Sequence, residues 1–194
     1  MRAALAFTVM WSVLPHAACA QDSDLARVIT AVELGGTVLV CRHAKTTSFQ
    51  EQEPVDYADE STQRLLSREG EEQSVAMGRA IMDRGIEISE IIASPMQRAR
   101  LTAELMFHRP VVIDSSWHTN GSVYPEAPRQ QRLEMLSTPL SSGNRLIVSH
   151  TGTIGSVIPL DGLSVDEGDC VVVRPEGGTF SVLGVVPYEA WVRR

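Results

Sequence analysis

Three short segments carry residue types that handle an oxyanion. Arg42-His43 closes the apolar run Val38-Leu39-Val40-Cys41. Ile91-Ile92-Ala93 leads into Ser94, with Arg98 four residues on. Leu146-Ile147-Val148 leads into Ser149-His150. A guanidinium grips anionic oxygens through a fork of N–H donors, and an imidazole beside it attacks the bound group or exchanges protons with it. Each segment alone has a plainer explanation: a chance dipeptide at a strand end, a solvated helix arginine, a core histidine. All three directly follow a run that reads as a buried strand. In parallel α/β sheets ligands sit beyond the carboxyl ends of the strands, so the pattern predicts one oxyanion site containing a nucleophile, built from Arg42, His43, Arg98 and His150.

The rest of the chain supplies the elements such a site needs. Residues 24–34 have helical apolar spacing, stopped by Gly35-Gly36. A first strand follows over 37–42, then a polar, acidic stretch over 44–64 that reads as a long loop. Residues 66–84 form the strongest helix, with Ser67 as N-cap, Glu69, Glu71 and Glu72 in its first turn, and Gly85 just past its end. A second strand over 88–93 leads into a helix expected to be capped by Ser94, with Pro95 at its first position and its end near Phe107. A short strand over 111–113, a loop over 115–128, a short helix over 130–137, a strand over 145–149 and a short helix over 151–158 come next. Two β-rich runs, 170–174 and 179–186, flank Pro175-Glu176-Gly177-Gly178 and read as a hairpin. The alternation implies a three-layer α/β/α sandwich, its sheet mostly parallel with an antiparallel C-terminal hairpin.

At 194 residues the chain suits one domain with a real core. Its first twenty residues read instead as an export signal: Arg2, an apolar stretch over 3–14, and the small-x-small site Ala18-Cys19-Ala20. Cleavage would leave residues 21–194 as the mature domain, in the periplasm or secreted, without stable membrane insertion. Acylation at Cys19 is the weaker alternative, because His16 stands where a lipoprotein signal usually has Leu. The formal charge of -7 becomes one unit more negative on losing Arg2. That argues against nucleic acid or anionic membrane as a partner and makes the anion site a basic pocket in an acidic field. No zinc-like Cys/His spacing occurs, and His108 and His118 read as surface or core residues rather than ligands.

The ordered motifs resemble the histidine phosphatase superfamily, the phosphoglycerate-mutase-like proteins. Arg42-His43-Ala44 stands for the family's Arg-His-Gly, and the Ala resembles its compact phosphohistidine-phosphatase branch. Leu66-Ser67-Arg68-Glu69-Gly70, Ser94-Pro95-x-x-Arg98-Ala99-x-x-Thr102-Ala103-Glu104 and Val148-Ser149-His150-Thr151-Gly152 complete the match, which spans residue 37 to about 186. The resemblance implies that His43 becomes a phosphohistidine, that Arg42, Arg98 and His150 clamp the phosphoryl oxygens, and that no metal or other cofactor is needed. Arg64, before the first long helix, is a further substrate-binding candidate, or a loop arginine paired with a carboxylate such as Asp59 or Glu60.

Leaving-group protonation departs from the family. Thr151 stands where phytase-type members carry an Asp. Glu126 is the candidate donor, with Asp56 and Asp59 as alternatives; a site lacking an acid would favour phosphohistidine or phosphoanhydride substrates. The expected partner is thus a phosphorylated protein, glycan or small molecule. The resemblance also lays a late antiparallel strand beside the first. That brings Cys41 near Cys170, either in a disulfide or, the weightier reading, as two separate buried cysteines. A non-catalytic protein of the same fold that binds a phosphate-bearing ligand is the alternative function, and a transferase or mutase a third.

Overall fold

The computed structural model describes residues 16–51, 55–118 and 126–193, with side chains from residue 23 onward and, in the helix that begins at Glu126, from residue 128. The apolar stretch of the expected signal, residues 3–14, lies outside the described residues. Helix α1 (His16–Leu34) starts earlier than its apolar spacing predicts and runs through the expected cleavage point. No described helix is long and apolar enough to cross a membrane.

The strand order is β3-β2-β4-β1-β5-β6, with β1 (Val38–Arg42), β2 (Ile88–Ala93), β3 (Val112–Ile113), β4 (Asn144–Ser149), β5 (Cys170–Pro175) and β6 (Phe180–Val186). β1 through β4 run parallel, while β5 pairs antiparallel to both β1 and β6. The expected sandwich and C-terminal hairpin are what the chain forms. β1, β4 and the last three residues of β2 are buried on both faces, and their stretches 38–41, 146–148 and 91–93 read as continuous apolar runs. Alternate residues face opposite layers. Leu39, Cys41, Ile91, Ala93, Leu146 and Val148 meet one core layer, which includes residues of α1, α2 (Arg68–Asp83) and α3 (Gln97–Phe107). Val38, Val40, Ile92 and Ile147 meet the other, under α4 (Glu126–Ser137) and α5 (Thr151–Gly155). A last short helix, α6 (Tyr188–Val192), has no counterpart in the sequence reading; it buries Trp191 near α2.

Register turns this sheet into a platform. Arg42 pairs with Ser149 and Ala93 with Val148. His43, His150 and Ser94, each the next residue along, therefore emerge together at the carboxyl edge of three adjacent parallel strands.

Two glycines hold helices against the platform. Ser67 caps α2 by accepting from Gly70 N at 3.1 Å. A Cβ on Gly70 would lie 2.0 Å from the carbonyl oxygen of Lys45, two residues past His43. On Gly78 it would lie 1.8 Å from the carbonyl of Met106 in α3. The Leu-Ser-x-x-Gly segment is thus a close approach of helix backbone to the loop that follows His43.

Cys41 and Cys170 are directly opposed across the β1–β5 ladder and joined in a disulfide. This corrects the reading of two separate thiols. Pairing register, invisible in a sequence without the sheet order, puts their side chains on the same face.

Candidate active site

His43 follows β1 and is 2 % exposed. Its backbone N–H donates to Ser149 O at 3.0 Å, tying it to β4. Its Nδ1 lies 2.8 Å from the carbonyl oxygen of Ala44. A carbonyl only accepts, so Nδ1 carries the proton and Nε2 holds the lone pair. Burial first, then the charge of Arg98, lower the ring's pKa from 6.5 to about 3; the bond to Ala44 opposes this, and Arg42 and Arg64 add to it. The ring is therefore neutral and nucleophilic at any ordinary pH.

Arg98 is the second residue of α3, 4 % exposed. Its helix begins later than predicted. Ser94 is not the cap: its Oγ accepts from Met96 N at 3.3 Å and meets His150 Nε2 at 2.8 Å. Gln63 supplies the missing cap from the long loop, its Oε1 accepting from Gln97 N at 2.8 Å. Thr102, one turn after Arg98, donates to Arg98 O at 2.7 Å and accepts from Ala44 N at 3.1 Å. The Arg-x-x-x-Thr spacing thus locks Ala44, the residue after His43, to the helix that carries Arg98.

His150 stands 5.3 Å from His43, ring centre to ring centre. Taking the Ser94 hydroxyl as donor to Nε2, the proton of His150 sits on Nδ1, which is buried with no hydrogen-bond partner among the described residues. Burial, then Arg98, push its pKa well below 6.5. Arg42 is half-buried; it donates to Val165 O at 3.2 Å, with Glu167 at 3.8 Å. The charge of Arg64 adds to the lowering of the pKa values of His43, Arg98 and His150.

Several residues here escaped the sequence reading. Glu51 binds Arg98 through both carboxylate oxygens, occupying the fork a phosphoryl group would take. Glu167, before β5, accepts from Thr46 Oγ1 at 2.9 Å and lies 3.9 Å from His43 Nδ1. His118, read as a surface or core residue, packs edge-on against His150 with ring centres 5.2 Å apart. Its Nδ1 meets the Tyr57 hydroxyl at 2.7 Å. None of these sits in a strand-end pattern; only the assembled sheet brings them together. Of the expected proton donors, Glu126 opens α4 but its side chain lies outside the described residues. The carboxylates of Asp56 and Asp59 are bound within their own loop, to Ala58 N and to Ser61. Among the described residues no cluster of His, Cys, Asp or Glu is suited to hold a metal ion.

Residues 38–118 match the family model described as "Histidine phosphatase superfamily (branch 1)". The fold is that of a histidine phosphatase. The protein histidine phosphatase SixA, solved with tungstate, superposes with a TM-score of 0.60 at 18% identity over 78% of this chain and 97% of its own. A phosphoserine phosphatase from Entamoeba histolytica, solved with 3-phosphoglyceric acid, gives 0.57 at 14% over 78% and 96%. The α-ribazole phosphatase from Shigella flexneri gives 0.54 at 16% over 75% and 94%. No curated protein sequence is detectably similar. The recognition drawn from Arg42-His43, Arg98 and His150 agrees with these matches, and the histidine-phosphatase fold accounts for the platform on which those residues meet.

Proposed function

We propose that the chain is an exported phosphatase that works through a phosphohistidine on His43. The observation that carries this reading is the hydrogen bond from His43 Nδ1 to Ala44 O, which commits the ring to a lone pair on Nε2. Nε2 attacks phosphorus, the bond to the leaving group breaks, and the phosphoryl group rests on His43. Water then attacks phosphorus, the N–P bond breaks, and inorganic phosphate leaves with the lone pair restored to Nε2. Arg42, Arg98 and the Nδ1–H of His150 hold the equatorial oxygens through transfer, and such fixed charge is usually the largest catalytic contribution. Arg64 binds substrate at the rim. With protein cations doing the clamping, the reaction proceeds without a metal.

The disulfide supports an oxidising destination, in keeping with the signal-like N-terminus. The compact chain suits a phosphate carried on a protein, a glycan or a small metabolite. Replacing His43 with Ala abolishes turnover of phosphomonoesters and phosphohistidine in a variant that keeps the wild-type circular dichroism spectrum. An undiminished rate in that variant contradicts the reading.

A further inference from the structure

The site has a nucleophile and a clamp, and the proton for the leaving group is unaccounted for. Three imidazoles lie in a chain: His43, then His150 at 5.3 Å, then His118 at 5.2 Å. The last of them is rigidly presented. Asp114 donates its backbone N–H to Ala93 O at 2.9 Å and its carboxylate accepts from Ser116 N at 2.8 Å. A 3-10 turn over Ser115–Trp117 follows. Ser149 Oγ donates to Trp117 O at 2.7 Å, and His118 N donates to Ser115 O at 3.2 Å. Both ends of this short bridge are thus pinned to the strands that carry the clamp.

We propose that Tyr57 and His118 form the acid that protonates the leaving group. This rests on His43 being the nucleophile. Tyr57 donates its hydroxyl proton to His118 Nδ1 across the 2.7 Å contact, so that Nε2 carries the ring proton. As the P–O bond breaks, its electron pair stays on the leaving oxygen, which takes the Nε2 proton. Nδ1 takes the Tyr57 proton at the same time, which preserves a neutral ring. The phenolate, solvated because Tyr57 is 43 % exposed, keeps its charge until the second half-reaction. In the second half-reaction the attacking water gives its proton back along the same path.

The surroundings agree with a relay through a neutral ring. Among the described residues, the charged and titratable groups around His118 are Tyr57, His150, Arg98 and Glu51. Burial and Arg98 keep His118 uncharged, with Glu51 acting the other way. Glu51 itself has both oxygens on Arg98, so it is placed as an anion rather than a donor. A phenol is a far stronger acid than an alcohol, so the net transfer from Tyr57 to an alkoxide runs downhill. A site so equipped serves alkyl phosphomonoesters as well as substrates with good leaving groups.

The test compares p-nitrophenyl phosphate, whose leaving group needs no proton, with glycerol 2-phosphate, whose leaving group does. His118→Gln and Tyr57→Phe are expected to lower kcat/KM on glycerol 2-phosphate by about 100-fold and on p-nitrophenyl phosphate by less than about threefold, with kcat carrying the loss. Equal losses on both substrates in both variants, or no loss on either, overturn the proposal. So does a wild-type protein that cleaves only p-nitrophenyl phosphate. A Glu126→Gln protein that shows the split in their place overturns it in favour of the carboxylate. His43→Ala separates the two levels of argument: activity persisting there removes the phosphohistidine reading itself, whereas an inactive His43→Ala beside an unsplit His118→Gln removes only the acid.

Discussion

At the scale of the residue, Glu51 has the sharpest consequence. Its carboxylate rests on Arg98, a guanidinium 4 % exposed, by a two-pronged contact. In the proposed reaction a phosphate dianion displaces it, which lowers apparent affinity in proportion to the fraction of Arg98 held by Glu51. Glu51→Ala is expected to lower KM for phosphomonoesters about threefold to tenfold with kcat little changed. Steady-state kinetics check this, and a raised KM would show Glu51 to be part of the substrate site. Glu51 was invisible in the sequence because the loop over 44–64 has no periodicity and several carboxylates of equal standing. His43, Arg42, Arg98 and His150 were legible because each follows an apolar run at a fixed offset, which the sheet register then makes one place.

At the scale of the element, the disulfide links β1 to β5 directly behind Arg42. It spans 129 residues of sequence, so in the chain-entropy account it constrains the unfolded chain strongly. Reduction, or Cys41→Ala with Cys170→Ala, is expected to lower unfolding free energy by about 3 to 5 kcal/mol. Urea titration with and without a reductant measures it; coincident curves would show that the link adds nothing. The sequence placed both thiols in strands but left their pairing open, because hairpin order and register come from tertiary packing. Ser94 shows the opposite failure. Ser-Pro before a helical run is a sound start signal. Here His150 and Met96 N claim the Ser94 side chain, and Gln63 caps the helix from the long loop instead.

At the scale of the whole molecule, the site sets a pH limit on the fold. His43 falls from 6.5 to about 3, and His150 and His118 are also lowered, each mainly by burial. The fold therefore holds the neutral rings. The unfolded chain binds protons first as the pH drops. The stabilisation from His43 is complete above 6.5 and is lost progressively from there down to about 3. Tm is expected to fall steadily between about pH 7 and about pH 4. His150→Asn, which removes one of the buried rings, should flatten part of that slope. A calorimetric Tm that holds constant across the window contradicts the buried-imidazole account. The sandwich was readable because its strands and helices alternate along the chain with clear stop signals. α6 was missed because five residues show too little periodicity to stand out.

Turnover through His43 requires a covalent bond between phosphorus and His43 Nε2. Rapid-quench mixing with p-nitrophenyl phosphate, alkaline work-up and peptide mapping by mass spectrometry tests it directly. The expected result is a transient, acid-labile phosphoryl group on the peptide that contains His43, present in the wild type and in His118→Gln and missing in His43→Ala. A phosphoryl group on another residue, or turnover with no phosphoenzyme at any quench time, would contradict it.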